Sequence, residues 1–201
     1  LIERGYGSKL RMWAYSRVDT IRRPDILNLV RGAGIRWLGI GIESGDKNVR
    51  LEVQKGKFED VDINEVVRQV EDADINVMAN YIFGLPTDTH DSMRKTQDLA
   101  LELSTLGWNG YAAMPLPGSQ LYKDALEAGY DLPQDYEGYS FHAYNTKPIP
   151  TDNLTSKEIL KFRDESYLEY HQSEKFLSKV KEKYGQGAVD NILKRLFIFK
   201  K

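Results

Sequence analysis

The chain has 201 residues, 41% of them hydrophobic and 29% charged, with a formal net charge of -2 at pH 7. That composition supports one soluble domain with a sizeable core, and it excludes a strongly basic field aimed at nucleic acid or an anionic membrane. No apolar run is long enough to span a bilayer, no signal peptide is recognisable, and the absence of cysteine excludes disulfides and thiolate-held metals within these residues.

The lack of export features points to the cytoplasm. The chain opens without Met, and Ile2-Glu3-Arg4-Gly5 reads as the end of a helix entering a loop, so it is expected to be part of a longer protein.

In chain order, Leu10 to Tyr15 reads as a strand leading into Ser16-Arg17-Val18-Asp19-Thr20. Pro24 suits the first turn of a helix, and Ile26, Leu27, Leu29 and Val30 keep helical spacing as far as Gly32-Ala33-Gly34. Trp37 to Ile42 is a continuous run of apolar residues and glycine, flanked by Gly34 and Gly45. It is too short for a helix and predicts a strand buried on both faces, as in a parallel sheet. Glu43 and Ser44 then appear abruptly at its C-terminal end, where α/β proteins bind ligands.

Asp46 is a plausible N-cap for a short helix reaching Val53, broken by Lys55-Gly56-Lys57. A longer helix is predicted from about Asp62 to Ala73, with Ile63, Val66, Val67 and Val70 on one face. Asn76 to Pro86 is a third strand that ends in a Gly/Pro turn. Thr87 or Thr89 caps a helix running to about Leu106. Trp108 to Pro115 is a fourth strand, and Pro117-Gly118-Ser119 turns into a helix that ends near Gly129.

Four strand–helix units in series predict parallel strands with right-handed crossovers, in a barrel segment or a doubly wound sheet. From Tyr130 to Thr155 the chain loses periodicity and is rich in Pro, Tyr, Asp and Asn, which suggests a surface or lid segment. Thr155 with Glu158 forms a capping-box pattern before a helix to about His171. Two more amphipathic helices, Phe176 to Tyr184 and Ala188 to Phe199, flank Gly185-Gln186-Gly187.

If the strands are parallel, their polar ends converge on one rim. Arg17 and Asp19, Glu43 and Ser44, Asn80 with the Gly84 turn, and Met114 to Ser119 would all meet there. A guanidinium, a carboxylate, a carboxamide and two glycine turns make a site for a polar small molecule. Each residue also has a bland reading: Arg17 and Asp19 could pair with each other, and the glycines could serve only turns. His90, His142 and His171 match no metal-ligand spacing and read as structural or exposed. No Walker loop, dinucleotide glycine fingerprint or serine nucleophile elbow is present.

The order of these motifs resembles the radical S-adenosylmethionine (SAM) superfamily, closest to the members that often carry a cobalamin-binding domain. The likeness rests on Trp13-Ala14-Tyr15-Ser16-Arg17-Val18-Asp19, Gly39 to Gly45, Lys55-Gly56, Ile82 to Thr89 and Pro115 to Tyr122. It covers roughly residues 10 to 130, and the helical tail is also like that of those proteins.

The resemblance implies an α/β fold: a partial TIM-like barrel of four parallel β/α units, the third to sixth strands of a (β/α)6 core. Residues 1–130 would form it, and residues 131–201 an irregular lid segment and a C-terminal all-helical extension. It implies that Glu43 and Ser44 contact the ribose or methionine part of S-adenosylmethionine. Ile82 and Gly84 would pack against adenine, with Met114 and Leu116 near its edge and Arg17 and Asn80 facing the same rim.

The parent would use S-adenosylmethionine and a [4Fe–4S] cluster, with cobalamin in some members, to form a 5′-deoxyadenosyl radical or to methylate a small-molecule substrate. The family's three cluster cysteines have no counterpart here, so the chain alone is expected to be inactive, with no catalytic residue and no metal ligand of its own. Two alternatives are a cluster-independent barrel enzyme using Glu43 with Asp19 or Asp88, and a non-catalytic half-barrel that binds a partner. An incomplete barrel edge also predicts self-association.

Overall fold

In the computed structural model, residues 1–52 and 61–199 are described, with side chains through Phe197. The Lys55-Gly56 pair read as a helix break, and as part of the family likeness, lies outside the described residues. Four strands, β1 (Met12–Arg17), β2 (Ile35–Glu43), β3 (Asn76–Phe83) and β4 (Gly107–Ala112), form one sheet in the order β1-β2-β3-β4. Every neighbouring pair is parallel. A doubly wound sheet reverses its strand order at a switch point, whereas a barrel adds each new strand on the same side. The sequential order is that of a barrel segment.

The helices start where local capping chemistry places them. Helix α2 (Pro24–Gly32) has Pro24 in its first turn. Two amides at the start of α3 (Lys47–Glu52), those of Asn48 and Val49, donate to the Asp46 carboxylate. Asp62 caps α4 (Ile63–Asp72), accepting from the Glu65 amide. Thr89, not Thr87, caps α5 (His90–Leu103), in a reciprocal box with Ser92. Serine at the third helical position replaces the usual Glu or Gln, and its hydroxyl reaches back to the Thr89 amide at 2.8 Å. Ser119 caps α6 (Gln120–Glu127), and Thr155 with Glu158 caps α7 (Ser156–Gln172).

Several local features differ from the sequence reading: β1 starts at Met12 and runs on to Arg17, past the Tyr15 expected as its end, and β4 ends at Ala112 and not at Pro115. A four-residue helix, α1 (Val18–Ile21), follows β1 directly, with Val18 and Ile21 buried. Helix α5 stops at Leu103 because Ser104 turns left-handed, at φ 49°. This frees Thr105, whose hydroxyl donates to the Gly107 carbonyl at 2.7 Å, to start β4 early.

β3 shows the two faces of the sheet most clearly. Val77, Ala79, Tyr81 and Phe83 are buried, while Asn76, Met78, Asn80 and Ile82 are half-buried. The first set faces the helices and joins one core with Leu38, Ile40, Ile42, Val66, Val70, Met93 and Trp108. β2 was expected to be buried on both faces. Instead Leu38, Ile40 and Ile42 are buried, but Trp37, Gly41 and Glu43 on the opposite face are only half-buried. On β1, Trp13 and Tyr15 keep 46% and 75% of their surface exposed.

The C-terminal helices α7, α8 (Glu174–Tyr184) and α9 (Gln186–Phe199) complete the outer layer. Ile159, Tyr170, Phe176, Val180 and Val189 belong to the same core as the strands. Trp108 anchors the contact: Tyr170 stacks on it at 5.8 Å between ring centroids, and Tyr167, Tyr81 and Phe83 lie at 6.0, 6.3 and 6.4 Å. The Tyr170 hydroxyl donates to the Thr105 carbonyl at 2.6 Å, so a polar tip inside the core is satisfied. Helix α6 packs elsewhere, with Leu121, Tyr122 and Ala125 against Leu132 and Ile149 of the irregular segment.

Candidate functional site

Parallel register arranges the inner face in rows. Arg17 pairs with Gly41, Gly41 with Asn80, and Asn80 with Asn109. One row near the C-terminal ends of the strands therefore reads Arg17, Gly41, Asn80, Asn109. Below it, the row Tyr15, Gly39, Met78, Gly107 is apolar. Lower still, Trp13 stacks on Trp37 with ring centroids 5.7 Å apart and planes within 11°. At the top, Ile82 pairs with Tyr111, whose ring meets Phe141 of the irregular segment at 5.0 Å. Burial raises the Tyr111 phenol above its usual range, with the Tyr15 phenol as a second cause.

In the polar row, the Asn109 amide donates to the Asn80 carbonyl oxygen at 3.0 Å. The Asn80 amide group donates in turn to the backbone carbonyls of Met78 at 3.2 Å and Ile40 at 3.3 Å. The two carboxamides are thus held by each other and by the sheet. Arg17 grips Asp19 through two bonds, Nε to Oδ1 at 3.0 Å and Nη2 to Oδ2 at 2.8 Å. That hydrogen bonding holds the Asp19 carboxyl below its usual range.

Glu43 has the least ordinary backbone of the site. Its φ is 67°, in the left-handed region that non-glycine residues rarely occupy. The ladder slips between Gly41 and Glu43, so that Glu43 stands opposite Tyr81. A Cβ on Gly41 would lie 2.6 Å from Glu43 Oε1. The carboxylate is therefore folded back over Gly41, filling the place in the polar row where a side chain of residue 41 would stand.

Ser44 goes the other way. It is fully buried, its hydroxyl lies 3.1 Å from that of Thr96 on α5, and it accepts from the Asp46 amide at 3.1 Å. Its hydroxyl secures the turn after β2 and does not face the inner row.

Gly84 takes φ 77°, and a Cβ there would meet Ile159 at 2.7 Å. The turn is fixed by Asp88, which accepts from the Leu85 amide at 2.9 Å and the Ser92 hydroxyl at 2.5 Å. Burial raises the Asp88 carboxyl above its ordinary value, against these hydrogen bonds, which lower it. Ile82 packs with Val49, Leu85 and Ala113 in a small apolar cluster at the rim. Met114 is buried just after β4, and Leu116, whose amide donates to the Met114 carbonyl at 2.9 Å, is largely exposed.

Of the sequence-derived candidates, the structure brings Arg17, Glu43 and Asn80 into one row, with Ile82 above it. Ser44 is directed at α5, and Gly84 belongs to the turn under Ile159. Asn109 was missed, although an Asn inside an otherwise apolar strand, two residues from Tyr111, was a visible signal. Among the described residues, no group of three or more His, Cys, Asp or Glu could hold a metal, and no helix is long and apolar enough to cross a membrane.

Fold and rim together define a β/α-barrel segment with a polar mouth at the C-terminal ends of its strands. No family model matches the chain. It is 27% identical over 164 residues to the anaerobic magnesium-protoporphyrin IX monomethyl ester cyclase of Cereibacter sphaeroides, covering 80% of this chain and 25% of that protein. It is 22% identical over 174 residues to an uncharacterized methyltransferase of Pyrococcus horikoshii, covering 86% of this chain and 37% of that one. Over 86 residues it is 31% identical to the hopanoid C-2 methylase of Rhodopseudomonas palustris, 16% of whose length is covered. The chain thus spans a quarter of the first of these relatives and little over a third of the second.

Among solved structures it is similar to the radical SAM methyltransferase TsrM of Kitasatospora setae, which holds cobalamin and a [4Fe–4S] cluster. That match has a TM-score of 0.47 at 21% identity and covers 57% of this chain and 22% of the other. Coproporphyrinogen III oxidase of Escherichia coli, described as a radical SAM enzyme, gives a TM-score of 0.44 at 21% identity, covering 59% and 31%. Scores of this size mark partial overlap of the folds and nothing further. In sequence the chain is similar to parts of a cyclase, an uncharacterized methyltransferase and a methylase.

Proposed function

We propose that this chain is the C-terminal part of the barrel of a radical SAM enzyme, and that its polar row binds S-adenosylmethionine. The observation that supports this best is the row itself. A carboxylate held over Gly41 stands between Arg17 and the Asn80–Asn109 pair, at the strand ends where barrels bind ligands. A fixed carboxylate beside carboxamides suits the ribose hydroxyls or the amino group, and a guanidinium suits the methionyl carboxylate. Ile82 and the Leu85–Ala113 cluster offer an apolar surface to the adenine.

In the parent, a reducing cluster and, in some members, cobalamin would supply the electron or the methyl carrier for chemistry on S-adenosylmethionine. This chain does not fit the cluster, because it has no cysteine to ligate one. Its own share is to bind and orient. Residues 1–130 form the barrel wall in this reading, and residues 131–201 the lid and outer support. The substrate is a small molecule reached from the same mouth, and the open edge of β1 is where further strands or a second copy would pair.

The test is made in the full-length protein. Three cysteines spaced Cys-x3-Cys-x2-Cys should be encoded within about one hundred residues upstream, the reach of two further β/α units at about thirty residues each plus a cluster loop. Glu43→Ala should weaken equilibrium binding of S-adenosylmethionine while the cluster's visible absorption stays intact. Unchanged binding would defeat the proposal.

A further inference from the structure

We infer that Gly41 is a positioning residue: its missing side chain is the seat that holds the Glu43 carboxylate in the polar row. This rests on the proposed role of Glu43 and adds to it how the chain keeps that carboxylate in place.

Three observations meet at this point of β2. Glu43 adopts φ 67°, which costs a non-glycine residue free energy and persists only where the surroundings impose it. The β2–β3 register slips between Gly41 and Glu43, which moves Glu43 opposite Tyr81. The Glu43 Oε1 then occupies the volume above Gly41, 2.6 Å from where a Cβ would be built. Slip and left-handed turn together lay the side chain back along its own strand, and the absence of a Cβ two residues earlier leaves room for it.

The chemistry of the clash separates positioning from packing. At Gly45, an added Cβ would strike the backbone of α5, 2.4 Å from the Lys95 carbonyl oxygen, so the fold itself must shift. At Gly41 the closest atom is the far end of a flexible side chain, and the next is the carboxyl carbon behind it at 3.5 Å. The φ of Gly41 is not positive, so alanine suits its backbone. Gly41→Ala should therefore leave the strand intact and push only the carboxylate out of the row.

The experiment is a double-mutant cycle in the full-length, cluster-loaded protein, reading equilibrium dialysis of S-adenosylmethionine together with thermal unfolding. Glu43→Ala and Gly41→Ala should each weaken binding by about ten- to a hundredfold, the size of a lost hydrogen bond to a charged group. Glu43→Ala/Gly41→Ala should bind no worse than Glu43→Ala alone, because nothing is left to displace. The midpoint of Gly41→Ala should stay at the wild-type value.

Wild-type binding by Gly41→Ala would overturn the inference while leaving the role of Glu43 standing. Additive losses in the double variant, or a lowered midpoint, would overturn it by making Gly41 structural. Wild-type binding by Glu43→Ala would overturn the reading of the site, and the inference with it.

Discussion

The two faces of this sheet are built from alternate residues of the same strands, yet they obey different constraints. On the outer face, Tyr81, Phe83, Leu38, Ile40 and Trp108 are buried under helices, where volume and contact decide everything. On the inner face, Trp13, Tyr15, Arg17, Asn80 and Tyr111 stay partly open, and small differences in backbone decide where a polar group points. Glycine shows the difference well. Gly45 lets α5 approach the turn after β2, whereas Gly41 lets a carboxylate lie flat. A defect on the outer face should therefore be read in stability, and one on the inner face in binding.

The sharpest way to break that distinction is at Trp108. Trp108→Ala removes the ring that Tyr81, Phe83, Tyr167 and Tyr170 surround, and should destabilise the chain by about 3–5 kcal/mol in urea unfolding. A loss below about 1 kcal/mol would mean that α7 is not held to β4 through this residue.

Next in size is Gly45→Ala, expected to cost about 1–3 kcal/mol because the obstacle is the α5 backbone. Gly41→Ala measured beside it sharpens the comparison: same strand region, same substitution, and little change in stability expected.

Glu43→Gly should separate stability from binding in opposite directions. It relieves a left-handed glutamate and should stabilise the fold by about 1 kcal/mol, while removing the carboxylate and weakening S-adenosylmethionine binding. Loss of both would show that the turn depends on the Glu43 side chain.

A fourth prediction concerns pH. Burial raises the folded-state pKa of Asp88, so the stability it contributes is present below its unfolded value and is lost as pH rises through the folded one. Asp88→Asn keeps an acceptor for the Leu85 amide but cannot ionise. Wild type should lose stability relative to Asp88→Asn between acid and neutral pH, measured as thermal midpoints. A gap that stays constant would show that Asp88 does not ionise over that range.

The smallest effect is expected at Asp19, whose carboxyl is lowered by its bond to Arg17 and is favoured above its unfolded pKa, with that benefit lost as pH falls. Because Arg17 is exposed, Asp19→Asn at neutral pH should hardly move the midpoint.

Much of the fold is legible in the chain because its signals are local. Asp46, Asp62, Ser119 and Thr155 announce helix starts through their own hydroxyl or carboxylate, and the apolar run from Trp37 to Ile42 announces a strand. The rim residues Arg17, Glu43 and Asn80 are visible as polar groups at strand ends. Ser44 is adjacent to Glu43 in sequence and points to the opposite side, which no adjacency could reveal.

The sequence by itself determined that four β/α units follow one another and roughly where their strands and longer helices lie, since each depends on residues a few positions apart. Only the tertiary structure decided the register that aligns Arg17, Gly41, Asn80 and Asn109, the left-handed turn at Glu43, and the packing of α7 on β4. Those outcomes depend on which distant side chains share a space, and the cost of filling or emptying that space exceeds any preference a single residue has for its own backbone.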